Sequence, residues 1–119
     1  MVPELDACPL VAVGIDTHAD VNVAAVIDRV GRELGHASFG TDPVGHRKLE
    51  AWARSHGVLD VVGIEGTGVY GAGICAHLSD AGVMVVEVDR PDRRSRRFEG
   101  KSDPIDAYAA ARAALSGRA

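Results

Sequence analysis

LVAVGIDTHADVNVAAVID, residues 10–28, holds the decision about the fold. Residues 10–16 and 21–28 are two β-branched, almost wholly apolar runs, the pattern of strands buried on both faces of a sheet. Only Thr17-His18-Ala19-Asp20 lies between them. Four residues cannot hold a helical crossover, so the two strands must be antiparallel neighbours. A third strand over residues 33–39 follows after Arg29-Val30-Gly31-Arg32, again close enough only for a hairpin.

The period then changes. Asp42-Pro43 predicts a helix start, with Asp42 (or Thr41) as N-cap and Pro43 at the first helical position. Val44, Leu49, Trp52 and Ala53 supply its core face, and Gly57 is placed to stop it. Residues 58–65 read as a fourth strand. A glycine-rich turn leads into a second helix over about 69–79, with Gly82 at its end. Residues 83–89 make a fifth strand, and a third helix starts at Ser102 or Asp103. The order βββαβαβα is an antiparallel meander followed by two strands, each reached through a helix and so parallel to its predecessor. This α/β order, a mixed five-stranded sheet with helices packed on it, is the ribonuclease H-like architecture.

The totals allow one domain and no more: 119 residues, 46% of them apolar, support a single core. We take 1–119 as that domain, with 1–8 flexible and 115–119 as the start of a truncated continuation. No run reaches the eighteen or so apolar residues of a membrane span, and the N-terminus lacks the positive region of a secretory signal. A cytoplasmic protein with no membrane partner is therefore expected. Cys8 and Cys75 are far apart and in no CxxC pattern, so they read as ordinary small side chains.

The net charge of −4 is unevenly spread. Between Arg90 and Lys101 stand six basic residues, Arg90, Arg93, Arg94, Arg96, Arg97 and Lys101, against Asp92 and Glu99. The rest of the chain has 7 basic residues against 15 acidic, a net −8. An acidic body with one basic stripe suits contact with a polyanion along one edge, and a solvated charged loop is the plainer alternative.

Ligands of open sheets with parallel strands gather outside the carboxyl ends of the strands. Asp16 closes the first strand and Glu65 the fourth, which this order makes parallel neighbours. Asp103 and Asp106, spaced i, i+3, project from one side of the third helix's first turn. Four carboxylates at one edge repel one another unless a cation sits among them. All-oxygen ligands suit Mg²⁺ (or Mn²⁺), and two such ions can support in-line displacement at a phosphodiester. The arginine stripe would then hold the phosphate backbone.

Each acid also has a plainer reading. Asp16 can cap the turn after a strand, and Glu65 can solvate the N-terminus of the second helix. Asp103, Pro104 and Asp106 are close to a capping-box layout. Only the coincidence of all four distinguishes the readings. His18 reads as an exposed turn histidine, with a supporting or proton-shuttling role as the alternative. The other four histidines show no pattern.

GIDTHAD, GIEGTGVYG and EGKSDPIDAYAAARAA resemble the N-terminal, RuvC-like DEDD domain of IS110-family transposases, over about residues 10–114. The resemblance implies Asp16, Glu65, Asp103 and Asp106 as the catalytic, metal-binding set. It also implies divalent metal, DNA as substrate, a guide (bridge) RNA and an active site assembled between protomers of a homo-oligomer. Family members continue through a coiled coil into a domain with a catalytic serine, which nothing here matches. The chain is therefore expected to be inactive alone.

Three rivals remain. An ASKHA-type nucleotide-binding fragment shares the βββαβα order, an aspartate after the first strand and Gly-Thr-Gly turns. It would need a glycine-rich hairpin where this chain has THAD, and it leaves Asp103, Asp106 and the arginines unexplained. A noncatalytic nucleic-acid-binding module would use the basic stripe alone. A free-standing RuvC-type nuclease would use the same four acids.

Overall fold

The computed structural model describes residues 10–65, 70–88 and 104–118. Five strands, β1 (Leu10–Thr17), β2 (Asn22–Asp28), β3 (Glu33–Phe39), β4 (Val58–Glu65) and β5 (Val85–Val88), alternate with α1 (Pro43–Arg54), α2 (Ala72–Asp80) and α3 (Pro104–Arg118) in the expected order. They form one sheet, β3-β2-β1-β4-β5. The β1–β2 and β2–β3 pairs are antiparallel, and β1–β4 and β4–β5 are parallel. This is the ribonuclease H-like sheet, with β1 and β4 buried at its centre.

Local chemistry sets the helix ends. Asp42 caps α1, its Oδ1 accepting from the Gly45 amide at 2.8 Å, and Pro43 opens the helix. α2 closes in a Schellman motif: the Val83 and Gly82 amides donate back to the Leu78 and Ser79 carbonyls, with Gly82 at φ +84, a left-handed position that favours glycine. Val83 is thereby held by the cap, so β5 starts at Val85 and not at residue 83. α2 starts at Ala72, after an uncapped Gly71, and not near residue 69. α3 starts at Pro104, and the expected cap at Asp103 lies outside the described residues.

Two apolar layers sandwich the sheet. Val11, Val13 and Ile15 face α1 and α2, with Leu49, Ile74 and Leu78. Ala12, Val23, Ala25, Ile27 and Val61 face α3, against Ala107, Ala111 and Ala114. Val44 is a correction to the expected α1 core face: it is 47% exposed, and His46 takes the buried place beside Leu49 and Ala53. Helical spacing puts 46, 49 and 53 on one stripe and leaves 44 off it.

At two glycines the backbone of α3 comes directly against the sheet. A Cβ on Gly14 would stand 1.9 Å from the Ala107 carbonyl oxygen, and one on Gly63 would stand 2.7 Å from that of Ala110. Gly14 and Gly63 are register partners on β1 and β4. The alanines of α3 and these two glycines are therefore one packing device, since any side chain there would lift the helix. Tyr108 anchors the helix sideways, its ring 5.8 Å from that of His36. Burial, and then the Glu33 carboxylate, raise the Tyr108 phenol above its ordinary value.

Candidate active site

Asp16 and Glu65 are Cα partners at the carboxyl ends of β1 and β4. Each is 4% exposed. Side chains alternate along a strand, so Asp16 shares the face of Ala12 and Gly14, and Glu65 that of Val61 and Gly63. Both carboxylates therefore stand on the α3 side of the sheet, one step beyond the glycine pair.

α3 runs antiparallel to β1. Tyr108 meets His36, whereas Arg112, one turn on, meets Glu33 at 3.1 Å, and β3 runs parallel to β1 because each is antiparallel to β2. The first turn of α3 thus lies toward the edge that carries Asp16 and Glu65. Ala110 covers Gly63, and Asp106 precedes it by four residues, about 6 Å of helix rise. Glu65 lies two strand residues past Gly63, about 6.6 Å. The two steps match, so α3 delivers Asp106, its Oδ1 buried, at the level of Glu65.

The structure thus brings Asp16 and Glu65 side by side and Asp106 to the same edge. Among the described residues, no three His, Cys, Asp or Glu side chains close into a metal-ligand group. Asp103 lies outside the described residues, as do Arg90, Arg93, Arg94, Arg96, Arg97 and Lys101. The donor chemistry is all carboxylate oxygen, which fits a hard divalent cation such as Mg²⁺ or Mn²⁺.

Two neighbours contact the pair. His18 Nε2 lies 3.1 Å from Asp16 Oδ2, a direct link between the turn histidine and the first acid. Thr17 Oγ1 donates to the Glu65 carbonyl oxygen at 2.7 Å. Sequence reasoning did not single out Thr17: a hydroxyl at a strand end is visible in the sequence, but its partner 48 residues away is not. Nor did it find a pattern in the other histidines, although His77 Nε2 lies 2.8 Å from Glu50 Oε1 and the His46 and His77 rings are 5.9 Å apart. Those contacts are on the α1/α2 side, away from the carboxylates.

Residues 13–119 match the family model of the IS110 DEDD transposases, described as transposase. No curated protein matches the chain in sequence. Solved structures with a similar course include a ROK family glucokinase from Streptomyces griseus in complex with glucose and AMPPNP, at 20% identity and TM-score 0.48 over 66% of this chain and 33% of that one. The ethanolamine utilization protein EutJ from Carboxydothermus hydrogenoformans has 20% identity and TM-score 0.43 over 65% of this chain and 35% of its own. T. thermophilus RuvC in complex with a Holliday junction substrate has 19% identity and TM-score 0.48 over 66% of this chain and 64% of its own. The matched region thus spans about a third of the first two proteins and under two thirds of the third. Among the described residues no helix is long and apolar enough to cross a membrane.

Proposed function

Because the chain belongs to the IS110 family of DEDD transposases, we propose that it is the carboxylate-bearing domain of such an enzyme, acting in metal-dependent DNA strand cleavage and exchange. The observation that carries this reading is the Asp16–Glu65 pair: two buried acids in register at the carboxyl ends of adjacent parallel strands, on the face to which α3 brings Asp106. Burying like charges side by side is costly without a cation to balance them.

On this reading Asp16, Glu65 and Asp106, with Asp103 three residues earlier in the sequence, hold Mg²⁺ or Mn²⁺. Bound there, the metal would activate the attacking oxygen and stabilise the leaving one at a phosphodiester. His18 holds the orientation of the Asp16 carboxylate. The glycine contacts of α3 hold Asp106 at a fixed height above the sheet. Arg90, Arg93, Arg94, Arg96, Arg97 and Lys101 bind the nucleic-acid backbone, a contact that weakens steeply with salt. As the family resemblance implies, a guide RNA and a second protomer complete the assembly, and the serine nucleophile comes from a domain that these 119 residues do not resemble. The domain by itself then binds metal and DNA without exchanging strands.

The test is thermal unfolding in Mg²⁺ and Mn²⁺, with Asp16→Asn and Glu65→Gln beside the parent. Metal at 100 times its dissociation constant stabilises a folded site by about 2.7 kcal/mol. A rise in melting temperature for the parent and for neither variant supports the reading. An equal response in all three overturns it.

A further inference from the structure

We propose that Thr17 is a positioning residue for this site, acting on Glu65 through its main chain; the inference rests on the metal-binding reading above. Thr17 is the last residue of β1 and is 3% exposed. By alternation its side chain lies on the α1/α2 face, on the far side of the sheet from the Asp16 carboxylate.

The hydroxyl reaches across to the neighbouring strand. Its bond to the Glu65 carbonyl, at 2.7 Å, is buried and links positions 48 residues apart. The β1–β4 ladder ends with the pair Asp16 and Glu65. At that last step the Glu65 carbonyl is gripped by a side chain of the neighbouring strand. A carbonyl held in place fixes the ψ angle of its own residue. With the backbone of Glu65 set, its Cα–Cβ direction is set too, and the carboxylate stays beside that of Asp16.

The donor is what matters in this arrangement, not the bulk. Valine has nearly the shape of threonine and no hydrogen to donate, whereas serine keeps the donor and loses a methyl. Asn22, the ladder partner of Thr17, is fully buried, and its side-chain amide makes no hydrogen bond, so it does not share the Glu65 carbonyl. Groups that orient metal ligands from behind typically change metal affinity by about 10–100-fold when removed.

The experiment is calorimetric titration of the whole 119-residue chain with Mg²⁺ and Mn²⁺, below the melting temperature, for the parent, Thr17→Val, Thr17→Ser and Asp16→Asn. Circular dichroism checks that each is folded. The expected result is a loss of about 10-fold or more in metal affinity for Thr17→Val, recovery to within a few-fold for Thr17→Ser, and no binding for Asp16→Asn. A merely structural threonine would change the metal-free melting temperature and leave affinity as it was. Should Thr17→Val fail to fold, Thr17→Ala removes the same donor, together with the γ methyl, and reads the same quantity. A folded variant lacking the hydroxyl that binds metal as tightly as the parent overturns the role of Thr17 alone. A parent that binds no metal overturns the carboxylate reading, and this inference with it.

Discussion

Replacing Gly14 with alanine tests the contact on which the site's geometry rests. The added Cβ would stand 1.9 Å from the Ala107 carbonyl oxygen, 2.3 Å from the Ala111 amide nitrogen and 3.0 Å from the Ala110 carbonyl carbon. All three are backbone atoms of one helix, so no rotamer change relieves the clash. Ordinary contact begins near 3.4 Å, so α3 must rise by about 1.5 Å at that point, loosening the buried Ala107, Ala110, Ala111 and Ala114. Overpacking of this kind costs about 1–3 kcal/mol, and a backbone obstacle puts it toward the upper end. The lost freedom of the unfolded chain offsets about 0.4–1 kcal/mol of it. A net loss of about 2 kcal/mol corresponds to a fall of roughly 8–10 °C in melting temperature for a domain of this size. Urea unfolding of the variant should show a lower midpoint with an unchanged slope. Raising α3 also lifts Asp106 from the level of Glu65, so the response to Mg²⁺ should shrink along with the stability. Gly117→Ala is the control: the same helix and substitution, with no atom within 4 Å, and a melting temperature equal to the parent's or higher. If Gly14→Ala melts with or above the parent, α3 does not lie against β1 as described, and the placement of Asp106 fails.

The fully buried, unbonded amide of Asn22 makes a second prediction, because an unsatisfied buried polar group costs about 1–3 kcal/mol. Asn22→Val should raise stability by about 1 kcal/mol, and a lower denaturation midpoint would show that the amide is bonded after all. His46 makes a third. Burial first, and the neighbouring His77 second, hold its pKa below the ordinary 6.5, with Asp42 opposing. The unfolded chain therefore takes up the proton more readily than the folded one. The stability that His46 contributes while neutral is present above pH 6.5 and is lost as the pH falls from there through the lower folded value. Denaturant midpoints measured between pH 7.5 and 5 should decline, and His46→Gln should flatten that decline. Equal slopes for parent and variant would remove His46 as the cause.

Much of this molecule was legible in its residues. The THAD link of four residues forces β1 and β2 to be antiparallel, and Asp42-Pro43 starts α1 where the chain does. The ends of β1 and β4 put Asp16 and Glu65 at one edge, because strand direction follows from what can fit in the connection. The misses have physical reasons as well. Val83 reads as strand by composition, yet its amide belongs to the Schellman cap of α2. Val44 looks like core by hydrophobicity, yet helical phase turns it outward and seats His46 instead.

The sequence by itself determined the order of the elements, their relative directions and which acids end which strands, since these follow from short connections, side-chain period and capping chemistry. Only the tertiary structure decided that β4 lies in register with β1, that α3 rests directly on Gly14 and Gly63, and that Thr17 bonds the Glu65 carbonyl. Those contacts join residues roughly 50 to 100 positions apart. Close packing of the two faces selects them, and no local preference of the chain specifies them.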